Sequence, residues 1–425
     1  MRMLKFTLVT ATLFACCLTL VRSGAITKPD DSNYQAIPEG FDFPADQAKL
    51  LQYRDSGNVA EMRKHAWMVL AGMTQQATGG EAIWETWYSE PEVFQPGPTP
   101  QGLRKIQRVF QNPRQFRTTT KGPSAQAIGA SLLSFVLYNQ EGRAHVRTNQ
   151  LYLQSKLNQM NQSFDSNHTP TEQREIPSFP AAAVSLKTVW WIVKKTGLTA
   201  MPIWDAKPTK PNSQGNDYPT WARFVAVDPS RTQIPTNETQ DVSFGGTVRK
   251  NSHVVPLTSF YSFQTTTQAE VDAIKSGNPD VPNMSTLQVG DYVALVAMHC
   301  TTKEIPNWVW ATFWWHDKPD DGPFAANRVG TDKLKGVWRN YLMNVTYSAD
   351  TPKETDGTPN VCFNPWLEAR FSGGLTSNCM ACHQRAVWTP ESFLPVTRGT
   401  IPPNDQFFAD KTKADFLWSI VFSSQ

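Results

Sequence analysis

Past its first 25 residues the chain has no apolar run approaching the roughly 20 residues that a membrane helix needs. It also has no sustained run of lysine or arginine, and its 40 basic residues nearly balance 37 acidic ones. Nucleic acid and anionic membrane surfaces therefore find no electrostatic footprint. No phosphate loop, dinucleotide fingerprint, nucleophile elbow or zinc-protease helix occurs. Cysteine and histidine are scarce, at six and seven of 425 residues, so any tight grouping of the two is informative.

The N-terminus has the pattern of an export leader. Arg2 and Lys5 precede the apolar run Thr7 to Val21, and Ser23-Gly24-Ala25 offers small residues for cleavage after Ala25. An alternative is a lipoprotein acceptor at Cys16, which Phe14 fits poorly. Loss of the leader removes Arg2, Lys5 and Arg22 and brings basic and acidic residues into balance. The expected location is the periplasm. There Cys300 and Cys362, the two cysteines left outside the grouping described next, are candidates for a disulfide.

That grouping is Cys379-Met380-Ala381-Cys382-His383, the spacing at which c-type haem is attached. Each thiol adds to one vinyl group, so both sulfurs must reach one edge of the porphyrin. A helical turn provides that, and the adjacent imidazole becomes the proximal iron ligand. A zinc site would need further ligands at matching spacing, and no second Cys-x-x-Cys or His-x-x-x-His pair exists. A thioredoxin-like dithiol would follow a buried strand, whereas Phe371 to Asn378 is a glycine-containing loop. The reading is one covalent haem c held by Cys379, Cys382 and His383.

No methionine lies among the 42 residues after His383, which argues against the small class I cytochrome c fold. The sixth iron position must then be filled from upstream, or left open. His299 is the leading candidate for a distal ligand, because it ends the apolar strand Val293 to His299, where an imidazole needs a partner. Met298 points to the other face of that strand and reads as core. His316 reads as an exposed strand end and His65 as packed within a helix, while His145, His168 and His253 sit among polar residues and are not ligand candidates. Asp317, Asp320 and Asp321 lack calcium-loop spacing and read as a solvated turn. Trp308, Trp310 and Trp314 share one strand face and read as aromatic core.

The expected architecture is α+β, with a helical N-terminal part, an antiparallel β-rich middle and a C-terminal haem-bearing segment. The boundaries are a leader at 1–25, a mostly helical region at 26–200, a β-rich region at 201–350 and the attachment segment at 351–425. Ala45 to Gln76 predicts two helices broken at Asp55-Ser56-Gly57, and Asn149 to Gln162 and Val184 to Lys195 predict one each. Ser131 to Tyr138 is too short to assign to helix or strand. Strands are predicted at Trp221 to Val227, Val242 to Thr247 and Val254 to Gln264. Asp291 to Cys300 and Trp308 to His316 predict a hairpin. Thr267 to Glu270 is a capping box that opens a helix ending at Gly277, and a last helix is expected near Thr412 to Val421.

The segments Leu186 to Trp191, Met298 to Lys303, Trp308 to Phe313 and Ser377 to His383 occur in this order. Together they resemble a family of exported bacterial single-haem proteins of the cytochrome c type. The resemblance implies a haem protein outside the cytoplasm and brings no established substrate. The leading expectation is a periplasmic one-electron carrier with an unidentified redox partner protein. Its alternatives are a peroxidase-like or oxygen-using haem enzyme and a sensor of small ligands.

Overall fold

The computed structural model describes residues 33–97, 108–110, 132–205, 217–278, 281–388 and 398–425. The expected leader and Cys16 lie outside them. The helices are α1 Gln47–Asp55, α2 Val59–Met73, α3 Glu90–Phe94, α4 Gln140–Thr148, α5 Gln154–Ser166, α6 Gln268–Gly277, α7 Pro365–Glu368, α8 Cys379–His383 and α9 Trp418–Ser423. The strands are β1 Tyr88–Ser89, β2 Leu133–Tyr138, β3 Val184–Val193, β4 Thr199–Ile203, β5 Arg223–Asp228, β6 Thr239–Phe244, β7 Thr247–Pro256, β8 Ser262–Gln264, β9 Tyr292–Thr302, β10 Val309–Trp315, β11 Tyr341–Thr346, β12 Val387–Trp388 and β13 Thr412–Lys413. The architecture is α+β. None of the described helices is long and apolar enough to cross a membrane.

An antiparallel sheet runs β1-β2-β3-β9-β10-β11, with β8 pairing the start of β9. Strand β9 is central because Val293 through Met298 are buried on both faces, so no side can meet water without loss of apolar burial. The second sheet runs β4-β5-β7-β6, and its β5–β7 pair is parallel, unlike the antiparallel middle expected.

Residues 184–195 are a correction, since β3 stands where a helix was predicted. The register slips between Val189 and Trp190, where Val296 of β9 is the extra residue, so the bulge lies on the partner strand and β3 runs on unbroken. With both faces covered, neither the period of two nor that of 3.6 survives in the sequence. The β-branched Val184, Thr188, Val189, Ile192 and Val193 tip the choice to strand. Residues 133–138 become β2, and the described residues of the range 26–200 supply β1 to β3 as well as five helices. The predicted helix at 412–421 is also displaced. Thr412–Lys413 pairs with β12, Asp415 and Phe416 take positive φ of 43° and 67°, and the helix starts only at Trp418.

The two faces of the large sheet carry different cores. Leu186, Cys300 and Ala311 lie in one row, and Thr188, Met298 and Phe313 in the next. Helix α2 covers this face, with Trp67 against Phe313 at 5.2 Å between ring centroids. A second apolar cluster, including Tyr138, Leu157, Phe179, Trp310, Met380 and Ile420, surrounds α8 on the opposite side.

Candidate functional site

On that second face, Val136, Lys187, His299 and Thr312 form one transverse row, and Tyr138, Ser185, Thr301 and Trp310 the next. Six of these residues, all but Tyr138 and Thr312, floor a small cleft that opens to solvent. Its other wall comes from α7 (Leu367, Glu368), α8 (His383) and the segment Leu417, Trp418 and Ser419. His299 and His383 line the same cleft.

Helix α8 is a single turn, so its ends must be fixed from outside. Asn378 caps it, its side-chain oxygen accepting from the amides of Met380 at 2.9 Å and Ala381 at 3.4 Å. Asn378 Nδ2 donates to the Asn360 carbonyl at 3.1 Å. The amide of Cys379 bonds the Cys362 carbonyl at 2.9 Å, and the amide of Cys362 the Ser377 carbonyl at 3.0 Å. Cys379 and Cys382 are thereby held three residues apart on one turn, Cys379 buried and Cys382 partly so.

His383 Nδ1 lies 2.8 Å from the carbonyl oxygen of Phe416. A carbonyl only accepts, so Nδ1 carries the proton and Nε2 keeps the ring lone pair. Burial pushes the imidazole down to about 3, helped by the charges of Lys187 and His299. Trp310 packs on the ring at 4.2 Å between centroids, tilted by 42°. Trp310 thus belongs to the site, whereas Trp314 packs with Phe324 in the main core.

The Phe416 carbonyl is aimed by a strained turn. Asp415 and Phe416 are both left-handed although neither is glycine, a conformation that persists only when surrounding bonds impose it. Lys303 Nζ donates to Asp415 Oδ1 at 2.5 Å, Phe179 N to Asp415 Oδ2 at 3.0 Å, and Trp308 Nε1 to the Asp415 carbonyl at 3.0 Å.

His299 Nε2 sits 3.0 Å from Glu368 Oε1, and His299 Nδ1 4.0 Å from Cys379 Sγ. Burial would lower this imidazole, but Glu368 and the Cys379 sulfur raise it to about 10. Burial lowers the Lys187 ammonium to about 8 against the pull of Glu90 and Glu368. Sequence reasoning passed over Lys187, Glu368, Lys303 and Asp415. A lone lysine inside the apolar run 184–193 was the one available signal.

Other expectations change. His316 is buried rather than exposed, 2.8 Å from Asp205 Oδ1. Asp317 is no solvated residue: its side chain is fully buried and accepts from Arg223 at 2.7 Å, with His253 Nδ1 at 2.8 Å. His145 meets the Pro177 carbonyl at 2.8 Å and packs on Phe179. Cys300 and Cys362 form no disulfide. Cys300 lies on the α2-facing side of β9, and Cys362 beside Cys379.

Compared with known proteins, the chain matches no protein-family model, no curated protein and no solved structure.

Proposed function

We propose that the chain is a periplasmic single-haem c-type cytochrome that passes electrons one at a time to a partner protein. The observation that carries this reading is the single turn α8, which holds Cys379 and Cys382 three residues apart and sets His383 on the cleft. The donor set fits the group. Two thiols stand one turn apart, and the neighbouring imidazole has its Nδ1 proton committed to a carbonyl and its Nε2 lone pair left for a metal. Cys379 and Cys382 would anchor the haem, His383 would be the proximal ligand and His299 the distal one. When bound, haem supplies a one-electron iron couple.

The chain's own residues do the rest. The Phe416 carbonyl fixes the plane of His383, and Trp310 keeps water from that ring. Glu368 holds His299 by a ring nitrogen, the usual support of a ligating imidazole. A haem enzyme or ligand sensor with an open sixth position is the second reading, favoured by Lys187, Glu368 and His299 gathered on the cleft. The test is expression in a host that matures c-type cytochromes. Mass should rise by one haem, and Cys379→Ser with Cys382→Ser should abolish the gain. A six-coordinate low-spin spectrum indifferent to cyanide, turned high-spin by His299→Ala, supports the carrier. High-spin wild-type iron that takes up cyanide supports the second reading, and unmodified thiols sink both.

A further inference from the structure

Cys379, His299 and Glu368 come from three distant parts of the chain, yet one ligand atom from each lies within 4.8 Å of the others. The three are mostly enclosed: His299 and Glu368 have side chains 15% exposed, and Cys379 is 5% exposed. They supply sulfur, nitrogen and oxygen, the mixed donor set that zinc accepts. Two ligands on one zinc ion stand about 3.5 Å apart, given bonds of about 2.0–2.3 Å in a tetrahedron. The His299 Nε2 to Glu368 Oε1 separation of 3.0 Å needs only slight opening, and the sulfur a small approach. Cys362 also contacts Cys379, its carbonyl oxygen 3.2 Å from the Cys379 sulfur.

We propose that, before any thioether forms at Cys379, the sulfur of Cys379, the imidazole of His299 and the carboxylate of Glu368 bind one divalent metal of the zinc class in the cleft. The ion replaces the proton held between His299 and Glu368. On binding, Cys379 gives up its thiol proton and the His299 imidazolium one ring proton, and both go to solvent, so affinity rises with pH. Neither Cys382 nor His383 takes part. The site nevertheless shares Cys379 and His299 with the haem reading, and a thioether at Cys379 removes its thiolate donor, making the two occupants exclusive.

The experiment uses the full chain made without haem, stripped by chelator and kept reduced. Zinc is titrated in competition with a chromophoric chelator, and cobalt(II) replaces zinc as an optical probe. One equivalent should bind, cobalt should show a sulfur-to-metal absorption band, and Cys379→Ser, His299→Ala and Glu368→Gln should each weaken binding by at least about tenfold. Cys382→Ser should bind as the wild type does, and haem-loaded protein should bind no zinc here. Lack of the sulfur band in wild-type protein overturns the proposal without reliance on any variant. So does zinc affinity unchanged in the three variants, or lost equally in Cys382→Ser, which would mean a dithiol site. The mass gain described above judges haem attachment separately, so either idea can fall alone.

Discussion

Lys303 Nζ meets Asp415 Oδ1 at 2.5 Å, with both side chains almost wholly enclosed, and this ion pair stands directly behind the Phe416 carbonyl that orients His383. A lysine in the loop after β9 thus governs the geometry of an imidazole 80 residues later in the chain.

Lys303→Met should therefore act on both stability and site. Removal of one partner leaves a buried carboxylate with its neutral donors only, which costs about 3–5 kcal/mol. The urea midpoint should fall with the slope unchanged. The double variant Lys303→Met with Asp415→Asn should lose less than the sum of the single changes. Additive losses would show that the two groups do not act as a pair.

His65 on α2 provides a pH test. Its ring lies 3.0 Å from the buried Glu304 and 3.6 Å from Asp42. Burial opposes its charge, but the two carboxylates raise it to about 9 from an ordinary 6.5. Because the folded value exceeds the unfolded one, the stabilisation is complete below about pH 6.5 and is lost as pH rises towards 9. It amounts to roughly 3 kcal/mol. Denaturation midpoints should decline over that window. His299 contributes with the same sign, so His65→Gln should flatten only part of the decline, and an unchanged slope would rule His65 out.

Neighbouring glycines should respond differently to alanine. Gly373 has φ of 74° and open space around it, so Gly373→Ala should cost only the backbone strain, about 1 kcal/mol. At Gly374 an added Cβ would fall 1.7 Å from the carbonyl oxygen of Glu368. Gly374→Ala must push α7 away and carry Glu368 off His299. It should cost well above 3 kcal/mol and weaken zinc binding, as melting and titration would show.

Asn378→Ala should cost about 1 kcal/mol from the lost cap. It should cost more still because Asn378 is fully buried and also bonds Asn360. Reduced haem incorporation with both thiols intact is the expected readout by mass.

The motif at 379–383 and its link to His299 were legible because the relevant residue types are rare and the strand before His299 is continuously apolar. Helices α1, α2 and α6 were legible too, since each has a polar cap and a clear break. Helix α5 began later than expected because Gln150 takes a positive φ of 56° and turns the chain first. Strand β3 was hidden because both its faces are covered, which leaves no alternation to read. The placement of Glu368 had no local signature, because its partner is a side chain 69 positions away. Nor had that of Asp415, whose turn is imposed by Lys303, Trp308 and Phe179 rather than by its own residues.

Alternation along β3, β9 and β10 lets the sheet serve as a pegboard. Ser185, Lys187, His299, Thr301 and Trp310 project forward, while Leu186, Cys300 and Ala311 anchor the board from behind. Pegs can be exchanged one at a time without disturbing the backing, so a modest set of replacements could give this scaffold a different reactivity. Insertion of a single residue into β9 would do the reverse, turning the polar pegs inward and the greasy backing out.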